Sequence, residues 1–573
     1  MKTGLRAAVI GLSAALLLPI WAMAAQVPAE GRLEDLNFLY DTLKENHPDL
    51  FANTPEEVFS ARKAEIADRL AADSQAEFVL DLQSLAALAG DSHTTLSLSF
   101  EEIHYYPFTL DTFGSSWVLT RSDRREDVGK TVTAVAGLTM DEFCRQFSVI
   151  VSADNEIKLA RQVKSVCYAA EILDYLGLTN QDGTVTLTLA AADGTTEERI
   201  YSPLTPEMFS ETARFRLADF RSAAPATEYD KSRAYFSLSL NEETYYIQYN
   251  VCQEDPELPM ETFAAQVQSD LQAGGYTQVL LDLRNNGGGS DGVIIPLLMV
   301  LREEMEQGGL RLFCLIGETT FSSGIINAVE IREMGAVLAG TLTSGSVDHF
   351  GSVRSYQLPN SGLTLRCSSK WIAMDDLLEA AIPYGVEPLK PDISIAQTLE
   401  DYLGGKDTLV EDLLKNGAGY SLPAEPSAPL TRGRLAWLLW QEAGSPPAEQ
   451  YAPFQDLIPC SYYAGAVSWA QANEIVTGVS QAAFQASRPV TRQEAAVMLN
   501  RYAAWKGLSS SGKPAVSYND TPAPWAAQAV EQVCAWGLMT ADLGLFQPDS
   551  TMTRSEGEAA VAALAALLER DLP

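Results

Sequence analysis

Residues 310–340 read LRLFCLIGETTFSSGIINAVEIREMGAVLAG, and this stretch decides the fold of the central part of the chain. Two apolar runs, RLFCLI and AVLAG, flank a segment whose apolar residues recur at helical spacing, which predicts strand, helix and strand. Before this stretch in the chain, QVLLDL at 278–283 predicts another strand, and SDGVIIPLLMVLREEMEQ at 290–307 predicts another helix. Buried strands separated by helices are typical of a mostly parallel sheet. We therefore predict an α/β core over residues 203–414.

The regions on either side of this core have different patterns. Residues 25–104 carry apolar side chains at three- and four-residue spacing, which predicts a segment of amphipathic helices. Residues 105–202 contain strand-like runs such as WVLT and TVTLTLAAADG, separated by Asp and Gly, which predicts a strand-rich insert. Residues 415–430 are rich in Gly, Pro, Ser and Ala, and we predict a linker there.

Composition excludes several classes of function. The 573 residues include 40 Lys and Arg but 75 Asp and Glu, so the net charge is −35, the opposite of what nucleic-acid binding needs. Seven cysteines lack the spacing of a zinc site, and no metal or organic cofactor is implied. An imidazole base would have to be one of only four histidines, namely His47, His93, His104 and His349.

The first residues have the pattern of a targeting signal. Lys2 and Arg6 precede an apolar run that ends in Ala22-Met23-Ala24, which predicts a secretory signal peptide over residues 1–24. An uncleaved membrane anchor is the alternative, but about 17 apolar residues interrupted by a proline fall short of the roughly 20 needed to span a bilayer. We expect an exported protein with no membrane span after cleavage.

Residues 431–573 contain an internal repeat. Thr431-Arg432, Thr491-Arg492 and Thr553-Arg554 each begin a predicted helix, and they lie 60 and 62 residues apart. Phe-Gln-Asp at 454–456 and Tyr-Asn-Asp at 518–520 precede the second and third copies. These features resemble the S-layer homology (SLH) repeats, which implies an α-rich domain that holds an exported protein on a Gram-positive-type cell wall.

The SLH resemblance implies a partner, an anionic secondary cell-wall polysaccharide. Arg432, Arg492 and Arg554 are the candidate ligands, because an arginine at a helix start adds its charge to free backbone N–H groups. Trp525 and Tyr463 are candidate sugar platforms. The alternative is that the arginines pair with neighbouring acids and only stabilise the repeat fold.

Three further motifs follow one another in the remaining chain. Gly-Asp-Ser-His at 90–93 ends the helical segment, Asp-Leu-Arg-Asn-Asn-Gly-Gly-Gly occupies 282–289, and Thr-Thr-Phe-Ser-Ser-Gly occupies 319–324. Together with YGVEPLKPDISI at 384–395, they resemble the tail-specific, C-terminal-processing and tricorn-core family of serine peptidases. The resemblance implies a crotonase-like (ClpP/crotonase superfamily) α/β core with an attached helical segment. In this family the insert is often a PDZ domain, but residues 105–202 show no convincing carboxylate-binding loop.

Alignment with the family motifs implies roles for individual residues. Ser322 is the candidate nucleophile at a strand-to-helix junction. The backbone N–H of Ser323 and that of a glycine, Gly288 or Gly287, are the candidate oxyanion donors, since a glycine lets the donor approach the substrate carbonyl.

The candidate base is His93. Some family members use a lysine after the next strand, but Ser346 occupies that position here. The tricorn-like branch instead uses a histidine from a motif that Gly-Asp-Ser-His resembles. A neutral imidazole accepts a proton near pH 7, which an ordinary lysine does not. For the orienting acid, Glu379 and Glu387 are both candidates, and we choose Glu379.

These patterns together predict an exported, wall-attached serine endopeptidase with a Ser-His(-Glu) site. Its partners would be a peptide or protein substrate and the wall polysaccharide. The alternative is a noncatalytic protein on the same fold, which captures peptides or other ligands at the wall.

Overall fold

The computed structural model describes residues 27–100, 102–191, 193–306, 310–374, 385–420, 428–448, 450–457, 461–508, 518–541 and 544–571. The predicted signal peptide at 1–24 and the candidate acid Glu379 lie outside the described residues. Among the described residues, no helix combines the length and apolar character needed to span a membrane.

The N-terminal segment is helical, as predicted. It contains α1 (Ala29–Asn46), α2 (Glu56–Arg69) and α3 (Gln75–Ala87). Ser74 caps α3 in a capping box with Glu77, which satisfies two free N–H groups at the start of the helix. Nearly all of α3 is buried, so this helix forms the centre of the segment. A short strand, β1 (Thr95–Leu96), follows the Gly-Asp-Ser-His motif.

The insert mixes strands and helices. A sheet with the order β2-β3-β4-β6-β7 carries β5 and β8 as side pairings, and three helices that the sequence analysis did not predict separate β5 from β6. The elements are β2 (Phe108–Phe113), β3 (Ser116–Ser122), β4 (Thr131–Val135), β5 (Leu138–Thr139), α4 (Met140–Gln146), α5 (Glu156–Val166), α6 (Ala170–Tyr175), β6 (Val185–Ala190), β7 (Thr196–Tyr201), α7 (Pro206–Thr212) and β8 (Phe215–Arg216). One hydrophobic cluster runs through the helical segment and the insert, so the two pack as one unit.

The predicted α/β core is confirmed as a six-stranded sheet. Five neighbouring strands are parallel, namely β10 (Thr244–Tyr249), β11 (Gln278–Asp282), β12 (Arg311–Ile316), β13 (Val337–Gly340) and β18 (Ile393–Ser394). At one edge β9 (Tyr235–Ser239) pairs antiparallel with β10. Apolar clusters cover both faces of the sheet, as the unbroken apolar strand runs require. The helices between the parallel strands up to β13 are α8 (Met260–Gly274), α9 (Ile295–Glu306) and α10 (Ser323–Glu333).

The segment after β13 joins the core to the helical segment. It contains β14 (His349–Gly351), β15 (Arg354–Gln357), β16 (Thr364–Cys367), β17 (Lys370–Ile372), β18 (Ile393–Ser394), α11 (Leu399–Leu403) and α12 (Thr408–Asn416). Strand β16 pairs antiparallel with β1, with Arg366 opposite Thr95. This pairing fixes the Gly-Asp-Ser-His motif beside the core although the two lie far apart in sequence.

The C-terminal region closes on itself through its three repeats. The described residues there form five helices, α13 (Arg432–Glu442), α14 (Ala464–Ala472), α15 (Arg492–Trp505), α16 (Ala527–Trp536) and α17 (Arg554–Asp571). Leu430, Val490 and Met552 precede the three Thr-Arg pairs at matching positions. The Leu430 N–H donates to Met552 O (2.7 Å), the Met552 N–H to Val490 O (3.1 Å), and the Val490 N–H to Leu430 O (2.8 Å). All three repeats therefore take part in one closed ring of hydrogen bonds.

This ring changes the predicted linker boundaries. Helix α12 extends to Asn416, and Leu430 is fully buried in the apolar cluster of the repeats. Both ends of the segment 415–430 thus belong to folded elements, while residues 421–427 lie outside the described part of the chain.

Candidate functional site

Ser322 stands at the junction between β12 and α10. It is the N-cap residue of α10, with φ 52° and ψ −130°. A non-glycine residue rarely adopts a positive φ, and such backbone conformations persist only where the surrounding structure imposes them. The predicted strand-to-helix position of Ser322 is therefore present, and its backbone is strained.

The glycine triplet packs directly against Ser322. Gly288 has φ 100°, and a Cβ atom built on it would lie 2.8 Å from the Cβ of Ser322 and 3.1 Å from the backbone N of Ser323. Only glycine fits this close approach. The Gly288 N–H donates to Asn286 Oδ1 at 2.9 Å, so this donor is already engaged, whereas Gly287 lines the adjacent cavity.

His93 lies in the same cavity as Ser322. The cavity has a volume of about 610 Å³, and its lining includes His93, Ser322, Ser323 and Gly287. The imidazole of His93 stacks on the ring of Phe321, the residue before Ser322, with ring centroids 4.4 Å apart and an interplanar angle of 24°. The structure thus brings the two predicted catalytic residues to one cavity.

Asp91 lies beside His93, and the sequence analysis gave it no role. Its Oδ1 is 3.8 Å from His93 Nδ1, and it accepts a hydrogen bond from the His93 backbone N–H at 2.9 Å. Thr94 Oγ1 donates to its other oxygen at 2.5 Å. The Gly-Asp-Ser-His motif already contained this carboxylate, two residues before the histidine.

A second histidine holds the Asp91 carboxylate. His47 Nδ1 accepts the Asp49 backbone N–H at 3.2 Å, so the proton of a neutral His47 ring lies on Nε2, which is 3.3 Å from Asp91 Oδ2. Burial alone would raise the pKa of Asp91. Hydrogen bonds from the side chains of His47 and Thr94 outweigh burial and hold this pKa below its usual value.

The surroundings keep His93 neutral. Neither ring nitrogen has a hydrogen-bond partner within the described residues, and 8% of the side-chain surface is exposed. Burial is the main cause that lowers the pKa of His93 to about 3. Asp91 opposes the shift, whereas His349, Lys158 and Arg366 add to it. His349 stacks on His93 at a centroid distance of 5.1 Å, and its Nδ1–H donates to Val347 O.

Lys158 is the other functional candidate that the sequence analysis missed. It lies in α5, one of the unpredicted helices, and it lines the cavity beside Ser322. No short motif surrounds it, so only the packing of the insert against the core reveals it. Of the two candidate acids, Glu387 is exposed, and Glu379 lies outside the described residues.

The repeat arginines are placed between neighbouring repeats. Arg432 is 6% exposed, and its guanidinium donates to Phe484 O (3.0 Å) and Thr477 O (2.9 Å). Arg492 makes the matching contacts one repeat later, to Phe546 O (2.8 Å) and Thr540 O (2.7 Å). These contacts fit the alternative in which the arginines stabilise the repeat fold.

The other residues singled out in the repeats differ in exposure. Trp525 is 61% exposed, as a sugar platform requires, but Tyr463 is 4% exposed and packs against Gly433. A buried ring offers no face to a sugar, so Tyr463 is a core residue. Arg554 begins α17, and its backbone N–H donates to Ala428 O.

Comparison with solved structures finds proteases. Mature CPAF is 14% identical with a TM-score of 0.48, and the alignment covers 69% of this chain and 99% of that one. The photosystem II D1 C-terminal processing protease is 14% identical with a TM-score of 0.29 over 65% of this chain and 94% of that one. A candidate S41 protease from Bacteroides fragilis is 14% identical with a TM-score of 0.26 over 56% and 83%. Likeness at this level does not assign a function.

The sequence comparisons give one match. The search of curated proteins finds no match. A family model described as the S-layer homology domain matches residues 453–496, which run from the Phe-Gln-Asp segment through Thr491-Arg492 into α15. The predicted SLH resemblance is thereby confirmed for the second repeat, and residues 453–496 are an S-layer homology domain.

Proposed function

We propose that the protein is an exported, wall-attached serine endopeptidase in which Ser322 is the nucleophile and His93 the base. The observation that carries this proposal is the strained backbone of Ser322 at the start of α10, in one cavity with His93. Strain of this kind is concentrated at functional sites. The order of the three sequence motifs supports the same conclusion.

The geometry suggests a course for the reaction. Because His93 Nδ1 faces Asp91, Nε2 is the nitrogen that would accept the proton from Ser322. The Ser322 Oγ would attack the peptide carbonyl, and the N–H groups of Ser323 and Gly287 would stabilise the oxyanion. His93 would then protonate the leaving amine, and water would hydrolyse the acyl-enzyme with His93 again accepting a proton. Serine and base are regenerated.

We assign the orienting role to Asp91. A carboxylate beside Nδ1 fixes the tautomer and stabilises the imidazolium that forms when Nε2 accepts a proton. Asp91 itself accepts hydrogen bonds from the side chains of His47 and Thr94, which keep it ionised. The role of Glu379 stays a prediction from the family resemblance.

A fluorophosphonate probe tests the proposal, because it labels only an activated serine. We expect the full-length protein to be labelled and Ser322→Ala to abolish the label. Ser352→Ala is the matched control, since Ser352 lines the same cavity and also has a positive φ, of 55°. If Ser322→Ala is still labelled, or if Ser352→Ala is not, the proposal that Ser322 is the reactive serine would be contradicted.

One observation favours the noncatalytic alternative. In the unliganded cavity both nitrogens of His93 lack a hydrogen-bond partner among the described residues, and a pKa of about 3 makes the imidazole a weak base. A folded protein that binds peptides but is not labelled would support a peptide-binding function instead.

We further propose that the repeats hold the protein on an anionic wall polysaccharide. The SLH match supports this proposal, and export rests on the predicted signal peptide. Full-length protein should sediment with purified cell walls and should remain in solution with walls stripped of the polysaccharide. Trp525→Ala should weaken binding, whereas Tyr451→Ala, at another exposed aromatic residue of this region, should not. Equal sedimentation with stripped walls would contradict the proposal.

A further inference from the structure

The cavity that holds Ser322 is strongly basic although the protein is acidic. Its described lining includes four cationic side chains, those of Lys158, Arg161, Arg366 and Lys370, and a single carboxylate, that of Asp291. The chain as a whole carries a net charge of −35. A cleft lined by charges of one sign attracts ligands of the opposite sign. The local charge therefore points to an anionic group on the ligand.

Lys158 is the most unusual of these cations. It is 1% exposed, and its Nζ has no hydrogen-bond partner within the described part of the chain. The ammonium lies 3.8 Å from the centroid of the Phe321 ring, so it is held next to the residue that precedes Ser322. Buried charged groups are normally paired, because an unpaired one carries its full desolvation penalty.

The neighbours of Lys158 do not neutralise it. Burial, together with the charges of Arg161 and Arg366, lowers the pKa of Lys158 to about 7 against the opposing effects of Asp154 and Asp91. Arg161 lies one turn along the same helix, and its Nε is 3.4 Å from Thr319 Oγ1. Arg366 lies on β16, opposite Thr95. Three cations from α5 and β16 thus line one cavity, in which Asp291 is the single carboxylate of the described lining.

We propose that Lys158, Arg161 and Arg366 form a subsite that binds a carboxylate of the peptide beside Ser322. This inference rests on the proposed peptidase function and specifies its substrate class as peptides with a carboxylate near the bond that is cleaved. The carboxylate is the side chain of a Glu or Asp residue of the peptide. It would give Lys158 the hydrogen-bond acceptor that the protein itself does not supply.

Binding of this carboxylate would also affect the base. Lys158 and Arg366 both lower the pKa of His93, so an anion that offsets their charge raises this pKa again. A substrate with the carboxylate would therefore make His93 a better proton acceptor as it binds. The selectivity should appear in kcat as well as in KM.

Matched peptides test the subsite by binding and by turnover. The probes are dye-labelled nonapeptides of Ala and Leu with one Glu or one Gln at successive positions, each with a C-terminal acid or amide. In full-length Ser322→Ala protein, we expect the peptide with Glu at one position to bind about 10- to 100-fold more tightly than the peptide with Gln there, whether its C-terminus is an acid or an amide. A preference for the C-terminal acid alone, without a preference for Glu over Gln, would contradict the proposal.

Two variants assign the preference to the subsite. Lys158→Met in the same protein should reduce the ratio of affinities to near one, whereas Lys44→Met, which removes an exposed cation of α1, should leave it unchanged. Thermal melting of each variant confirms that it is folded. Arg366→Met serves as a second test, because Arg366 lies on an exposed face of its strand.

The outcomes separate this inference from the proposed function. Equal affinities for charged and neutral peptides would overturn the subsite, and so would a preference that survives both Lys158→Met and Arg366→Met. Because binding is measured in Ser322→Ala, these results do not depend on hydrolysis. Absence of fluorophosphonate labelling in the wild type would instead overturn the peptidase proposal and leave the binding result standing.

Discussion

Replacing Lys158 by methionine should stabilise the region that contains the insert and the α/β core. The ammonium is buried without a hydrogen-bond partner in the described residues, and its pKa is about 7 in the folded protein against 10.5 for an ordinary lysine. Methionine has a similar length, carries no charge and makes favourable contacts with an aromatic ring such as that of Phe321. The substitution therefore removes an unfavourable group and leaves little empty space.

The magnitude follows from proton linkage. Between pH 7 and pH 10.5 the unfolded chain holds a proton on Lys158 that the folded chain gives up, so the stability contributed by this group rises with pH. One pKa unit corresponds to 1.36 kcal/mol, so the penalty at pH 7 is about 4 kcal/mol. Lys158→Met should gain about this amount at pH 7, and the gain should shrink towards zero near pH 10.5.

Lys164 is the matched control, because it lies on the same helix but is paired. Its ammonium contacts Glu318 at 2.6 Å and Asp111 at 2.9 Å. Burial opposes these pairs, but Asp111 and Glu318 prevail and raise the pKa of Lys164. Its contribution to stability is thus present below pH 10.5 and is lost as pH rises through the folded pKa, so Lys164→Met should destabilise the protein at pH 7.

Hydrogen exchange in urea measures these effects locally. Mass spectrometry of peptides from β12 and α10 reports the stability of the α/β core apart from the repeats, and it should be carried out at pH 7 and at pH 9.5. A Lys158→Met variant that is less stable than the wild type at pH 7, or whose gain does not fall at the higher pH, would refute the assignment of an unpaired buried ammonium.

The remaining predictions concern the site and the repeats. Gly288→Ala should abolish fluorophosphonate labelling and cost more than about 1 kcal/mol in urea denaturation, since its Cβ would clash with Ser322, whereas Gly292→Ala, with its nearest neighbour 3.8 Å away, should change neither. Because the pKa of His93 is about 3, the labelling rate should show no inflection near pH 6.5 and should fall only below about pH 4; an inflection near 6.5 would contradict the burial of this ring. Arg432→Met should lower the stability of the repeats by about 2 to 4 kcal/mol, measured by calorimetry, because two carbonyl groups lose charge-assisted donors.

The sequence was sufficient to predict the elements whose patterns are local. Strands such as RLFCLI are apolar throughout and lie between helices of regular spacing, so the α/β core followed directly. The Thr-Arg repeat was readable because each threonine caps a helix, and a capping residue acts on N–H groups only two or three positions away. Ser322 at the strand-to-helix junction followed from the same local logic.

Features that depend on packing could not be predicted in this way. The helices α4 and α6 have only seven and six residues, too few for a periodic signal. Lys158 belongs to no motif and lies in a helix that the sequence analysis did not predict, and only the packing of the insert against the core buries it. The surroundings of Arg432 and Arg492 could not be predicted either, because each lies at a helix start in the sequence, whereas in the structure its guanidinium also donates to carbonyl groups of the next repeat.

Some cations of the protein have hydrogen-bond partners within the fold, whereas Lys158 has none among the described residues, and this difference supports the cavity at Ser322 as the functional site. Arg432, Arg492 and Lys164 have their hydrogen bonds or ion pairs completed inside the protein, so folding alone accounts for them. Lys158 and His93 also have little exposed side-chain surface, yet their nitrogens have no hydrogen-bond partner in the described residues, and Ser322 in the same cavity is strained. Unfavourable groups concentrated at one cavity are explained if a ligand supplies what the protein omits: an acceptor for the ammonium, and a hydroxyl proton for the imidazole to take.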